Sequence, residues 1–153
     1  MSLTKKILLI LAVILVGIQF IHSAKNQSVK EEPGDIFANY PASDNVKKLV
    51  RTACYDCHSN NTIYPWYSNI QPVAWWLDHH VKEGKKELNF SEFATFTVKR
   101  KKDKLKKIGE ELKEKGMPLP SYLLVHRESR LTDPQREAIT TWAEEARKQI
   151  AVK

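Results

Sequence analysis

Two cysteines, five glycines and one methionine beyond the initiator are all that this 153-residue chain contains of those residues, and almost no stretch alternates apolar and polar side chains as a strand does. The missing strand signal excludes a β-rich architecture and the βαβ setting in which a thioredoxin-like dithiol sits. A structural zinc site needs four ligands, typically with a second CxxC or an HxxxH further on, and neither appears, which makes zinc the poorer reading. No cysteine lies near the N-terminal apolar segment, which excludes lipoprotein-style anchoring there. At this length, with 42% apolar residues, the chain has room for one domain of ordinary size. Its net charge of +7 is gathered largely in one place, since Lys99, Arg100, Lys101, Lys102, Lys104, Lys106 and Lys107 fall within nine positions. That is the pattern of a solvated helix face, and it makes no case for nucleic acid as a partner.

What the sequence does contain begins with an export segment. Lys5 and Lys6 precede an apolar run from Ile7 to Gly17 that continues through Ile18, Phe20 and Ile21, giving the charged and apolar regions of a secretory signal. Cleavage asks for small residues at the last and third-last positions, and Ala24 would be paired with the bulky His22, so retention as an anchor is expected. A helix from Ile7 to Ala24 would span about 27 Å at about 1.5 Å per residue, close to a bilayer core of about 30 Å. Residues 1–24 therefore read as a signal-anchor, residues 25–43 as a polar tether with two prolines, and residues 44–150 as the domain. The expected location is the cytoplasmic membrane, crossed once, with the domain on the periplasmic or extracytoplasmic side and the lysines held inside.

Both cysteines stand in "CYDCHSNNTIYPWYSN", where His58 follows Cys57 directly. Outside the cytoplasm a disulfide between Cys54 and Cys57 is the plain expectation, but it leaves His58 without a role. Covalent haem attachment uses all three residues. In a helical segment Cys54, Cys57 and His58 stand at i, i+3 and i+4 and project from one face, so two thiols can bond the two vinyl groups of a porphyrin while the imidazole reaches the iron. CxxCH is the sequence pattern of c-type haem attachment, and export agrees with it. Val46, Leu49, Val50, Ala53, Cys54 and Cys57 form one apolar helical stripe leading into the motif, capped by Ser43 or Asp44. A second stripe, Ile139, Trp142, Ala143, Ala146 and Ile150, follows the capping residues Thr132 and Asp133 and Pro134 in the first turn. The two stripes are expected to bury against each other. Between them, Phe90, Phe93 and Phe96 recur every third residue with Ser91 as a cap, and a basic helix to Lys115 keeps Leu105, Ile108 and Leu112 as its narrow apolar edge.

An iron with one imidazole has a sixth position to fill. Met117 sits in "KGMPLPSY", between Gly116 and Pro118 and away from any apolar periodicity, which makes core filling a weak account of it and axial ligation a better one. His/Met ligation raises the reduction potential and suits electron transfer. His79, His80 and His126 compete for the same position, and His80 or His126 can instead hydrogen-bond a propionate. Trp66, Tyr67, Trp75 and Trp76 form a dense aromatic group after the motif, as core packing or as porphyrin lining.

"CYDCHSNNTIYPWYSNIQPVAWWLDHHVKEGKKELNFSEF", followed by "MPLPSYLLVHRESRLTDPQREAITTW", resembles the haem-binding domain family of small exported bacterial proteins related to monohaem cytochromes c, over roughly residues 36–147. The resemblance implies a c-type haem attached through Cys54 and Cys57, with His58 as proximal ligand and Met117 at the position of the family's Met-Pro loop methionine. The resulting expectation is an all-α, cytochrome c-like domain carrying one haem c (metal ligands His58 and Met117), anchored by its N-terminal helix and exchanging electrons with redox partner proteins. An acidic partner or anionic lipid would suit the basic run 99–107. The alternative is a peroxidase-like enzyme or gas sensor with a displaceable sixth ligand, and a third is a haem module serving a larger complex.

Overall fold

The computed structural model describes residues 1–28 and 32–150. In chain order the helices are α1 (Leu3–Ile18), α2 (Ile36–Asn39), α3 (Asp44–Ala53), α4 (Tyr55–His58), α5 (Val73–Glu87), α6 (Val98–Lys113), α7 (Pro120–Leu123) and α8 (Asp133–Gln149). Short 3-10 turns cover Trp66–Asn69, Phe90–Thr95 and Arg127–Ser129. Among the described residues there is no strand, only an isolated bridge between Gln27 and Asn61.

The two apolar stripes become buried helix faces. Ser43 caps α3 by accepting from the Val46 N–H, and Val46, Val50 and Ala53 are buried along it. Thr132 and Gln135 form a reciprocal capping box on α8, with Pro134 in the first turn, and Ile139, Trp142, Ala143, Ala146 and Ile150 are buried. α3 does pack on α8, but the most extensive helix pair is α6 with α8. There Leu105, Gly109 and Leu112 are buried, and the bare Cα of Gly109 admits the Thr140 methyl. The phenylalanine triplet forms a 3-10 turn rather than an α-helix, because a three-residue period places Phe90 and Phe93 on the same edge. Its cap is Asn89, whose side chain accepts from the Ser91 N–H; Ser91 itself donates nothing to that role and instead accepts from the Asn60 N–H.

At the N-terminus the apolar helix runs from Leu3 to Ile18 rather than from Ile7 to Ala24. Among the described residues no helix is long and apolar enough to cross a membrane. Residues 25–43 are not a free tether, although 29–31 lie outside the described residues. Asn26 binds the Ser59 carbonyl and the Thr62 hydroxyl, and the Ser28 N–H donates to the Asn60 carbonyl. Ile36 is 0% exposed in the core, and Trp142 Nε1 donates to the Pro41 carbonyl. The domain thus begins well before residue 44. Polar composition suggested a linker because only Ile36 and its neighbours carry the burial.

Candidate functional site

Cys54 interrupts the helix that reaches it. Its backbone leaves the α region (φ −127°, ψ −35°), after which α4 turns the next four residues. The amides of Cys57 and His58 both donate to the Cys54 carbonyl, so the motif forms a single helical turn with its own axis. Each intervening residue fixes that turn from outside. The Tyr55 hydroxyl donates to Asp35 Oδ2 at 2.8 Å, in a buried contact, while its ring stacks on Phe90 and lies under the Arg51 guanidinium. Asp56 accepts from the Ile63 N–H at 3.0 Å and from the Tyr122 hydroxyl at 2.7 Å. Burial and the neighbouring Asp35 carboxylate push the Tyr55 phenol up, and burial with the bond to Asp56 does the same to Tyr122. Both tyrosines stay protonated as donors.

α5 presses on the motif at Gly84. A Cβ there would stand 2.5 Å from the Cys57 carbonyl oxygen, an approach only glycine permits. The same helix end orients the imidazole: His58 Nδ1 lies 3.0 Å from the Leu88 carbonyl, and donation from Nδ1 leaves the lone pair on Nε2. Burial lowers the His58 pKa, against the carbonyls of Leu88 and Gly84 which raise it, so the ring is held neutral at physiological pH. Cys54 and Cys57 are half-buried free thiols. Burial, then the charge of the other cysteine, pushes Cys54 up to about 12, and burial followed by the Asp56 carboxylate pushes Cys57 up to about 11.

The motif opens onto a cleft made of two adjoining cavities, which share Ala53, Cys54, His58, Glu87, Met117 and Pro118. One side is walled by Val50, Leu88, Phe90, Leu112, Ile139 and Trp142; the other by Cys57, His79, His80, Glu83 and Tyr122. Glu87, Lys104 and Lys107 form a charged edge. Lys104 reaches Glu87 at 3.2 Å with only 16% of its side chain exposed, and this bond with the charge of Lys107 holds the Glu87 carboxyl below the usual range.

Met117 lines both cavities together with Cys54 and His58, and its loop is fixed at three points. α6 ends in a Schellman turn in which the Lys115 amide donates to the Leu112 carbonyl and the Gly116 amide to the Glu111 carbonyl. Lys115, not Gly116, takes the left-handed conformation (φ 57°) and pairs with Asp133 at 2.8 Å. From α8, Arg136 Nη1 donates to the Met117 carbonyl at 2.7 Å and to the Leu112 carbonyl at 3.2 Å. Gly116 and Pro118 alone were the sequence-based account of this loop; Lys115 and Arg136 carry much of it.

The structure therefore brings Cys54, Cys57, His58, Met117, His79 and His80 to one cleft. His80 turns its Nδ1 to the Trp76 carbonyl. His126 is engaged elsewhere, with Nε2 on the Tyr67 hydroxyl at 2.6 Å, Nδ1 on Glu128, and its ring stacked on Tyr122. Trp66, Tyr67, Trp75 and Trp76 do not line the cleft; Trp66 is 77% exposed. The lining aromatics are Phe90, Tyr122 and Trp142, brought from distant segments. The apolar stripe of α8 pointed to Trp142 and the phenylalanine triplet to Phe90, while nothing in sequence singled out Tyr122, Gly84 or Leu88, and Lys104 was read only as part of the basic run. An apolar cleft lined by two thiols, a neutral imidazole and a thioether fits a haem. A family described as a haem-binding domain matches residues 13–145. No curated protein and no solved structure matches the chain significantly.

Proposed function

The chain belongs to the haem-binding domain family, and from that premise we propose that it holds one haem c in this cleft and transfers electrons outside the cytoplasmic membrane, anchored by α1. The observation that carries the proposal is the donation from His58 Nδ1 to Leu88, which presents Nε2 as a ligand beside two free thiols. Cys54 and Cys57 would hold the haem covalently through their sulfurs, and His58 would ligate its iron. Haem supplies a one-electron couple when bound. The residues around it do the rest. Met117, on a loop held by Arg136, would serve as the second protein ligand, and the apolar wall would exclude water, which together favour a closed site and a raised potential. Glu87, Lys104 and Lys107 set the charge at the cleft edge, and the basic face of α6 that continues from them suits an acidic redox partner.

The test is spectroscopic. Haem should remain with the chain through denaturing electrophoresis, and the ferric protein should show a sulfur-to-iron charge-transfer band that Met117→Ala removes while the attached haem stays. A protein that binds carbon monoxide rapidly and whose spectrum ignores Met117→Ala would instead support an enzyme or sensor with an open sixth position, with His79 and His80 as the next ligands to replace.

A further inference from the structure

α1 buries none of its residues, and Leu8, Leu9, Ile10, Val13, Ile14 and Val16 are each exposed on it. A helix apolar on all sides belongs in a bilayer or a large core. The apolar part of α1, residues 7–18, reaches about 18 Å at about 1.5 Å each, roughly 12 Å short of a hydrocarbon core of about 30 Å. A short span is accommodated by local thinning or by drawing the flanking groups into the interface.

The group that flanks α1 is fixed rather than free. Gln19 Nε2 donates to the Gln71 carbonyl at 3.2 Å, the Gln71 N–H donates back to Gln19 Oε1 at 2.9 Å, and Gln71 Nε2 donates to the Ile21 carbonyl at 2.7 Å. Gln71 itself is 2% exposed, so this three-bond junction is part of the domain. Immediately before and after it in sequence stand Trp66, Ile70, Val73 and Trp76, all exposed. Val73 and Trp76 are exposed in the first turn of α5, and the adjoining stripe of Leu77 and Val81 is buried.

We propose that the face formed by Trp66, Ile70, Val73 and Trp76 lies in the phospholipid headgroup region of the bilayer that takes α1. The inference rests on the anchor reading above and adds to it which side of the domain meets lipid. Tryptophan is the side chain that favours this depth, with an apolar body and a polar N–H. The hydrogen bonds to Gln19 and Ile21 supply the continuity between the inserted helix and this face. The assignment excludes the basic side of α6, which meets α5 at its opposite end, through Arg100 on the Lys86 carbonyl and Lys104 and Lys107 on Glu87.

The test uses the full-length haem-loaded protein in phosphatidylcholine vesicles, with and without anionic lipid, carrying a phospholipid photolabel whose diazirine sits near the headgroup. Adducts are mapped by mass spectrometry. Labelling of the 63–78 segment together with α1, reduced several-fold in the segment alone by Trp66→Ser with Trp76→Ser, is the expected result. Adducts confined to α1 would overturn the proposed face and leave the anchor standing, as would adducts on α6 in place of 63–78 when anionic lipid is present. No adducts on α1 would overturn the anchor reading and this inference with it.

Discussion

Replacing Gly84 by alanine should weaken the protein, although alanine is the better helix former. In an open helix interior the change would gain about 1 kcal/mol. Here the new methyl meets the Cys57 carbonyl oxygen at 2.5 Å and the Cys57 Cβ at 3.0 Å. Carbon and oxygen in close backbone contacts keep about 3.3–3.6 Å apart, so α5 and the motif must separate by roughly 1 Å. Neither neighbour is a flexible side chain, and overpacking of this kind costs about 1–3 kcal/mol. The clash should outweigh the gain by about 1 kcal/mol, a fall in Tm of roughly 2–8 °C. The same displacement pulls His58 from the Leu88 carbonyl, so the yield of attached haem should fall too. Thermal unfolding followed in the far ultraviolet, with haem-to-protein ratio measured on the same samples, checks both effects. Gly17→Ala is the control, since nothing lies within 4 Å of a Cβ there. A Gly84→Ala protein as stable as the parent, with full haem loading, would refute the close approach of α5 to the motif.

Tyr55→Phe strands the Asp35 carboxylate beside an apolar ring, and should cost about 1–3 kcal/mol in urea unfolding; an unchanged midpoint would mean Asp35 finds water instead. Arg136→Ala frees the Met117 carbonyl while leaving the thioether, so the charge-transfer band should be lost at lower temperature or milder alkali than in the parent, with the haem still attached. For the haem-free chain, His58 titrates lower in the fold than its ordinary 6.5 because of burial, so as pH falls below about 6.5 the unfolded chain binds the proton first. Its stability should be constant above that pH and decline below it toward the folded-state value, and His58→Gln should flatten the decline, as read from urea midpoints between pH 8 and pH 5.

Periodicity made the ends of the domain legible. The 3.6-residue spacing of Val46, Val50 and Ala53 and of Ile139, Trp142, Ala143 and Ala146 placed the right side chains inside, and Ser43 and Thr132 marked the right starts. The family resemblance held as well. The clustering of Trp66, Tyr67, Trp75 and Trp76 misled because nearness in sequence does not say which side a ring faces, and the cleft took Phe90, Tyr122 and Trp142 instead. Lys104 looked like one of seven solvated basic residues, since its partner Glu87 lies 17 residues away. Likewise a glycine within a helical pattern gives no sign of what approaches it, so Gly84 could be found only in three dimensions.

Asn26 is held on three sides, by the Ser59 carbonyl, the Thr62 hydroxyl and the Lys85 ammonium, a few residues beyond the Gln19–Gln71 junction. A free coil of the 19 residues from 25 to 43 would let its cargo sweep a sphere of roughly 25 Å about the attachment point. Pinned as it is, the domain sweeps none of that volume and keeps one bearing relative to its N-terminal helix. For the electron transfer proposed above, encounters would then be set by a partner's diffusion and by the direction in which the cleft edge faces, so lengthening the segment between Ile21 and Asn26 would trade orientation for reach.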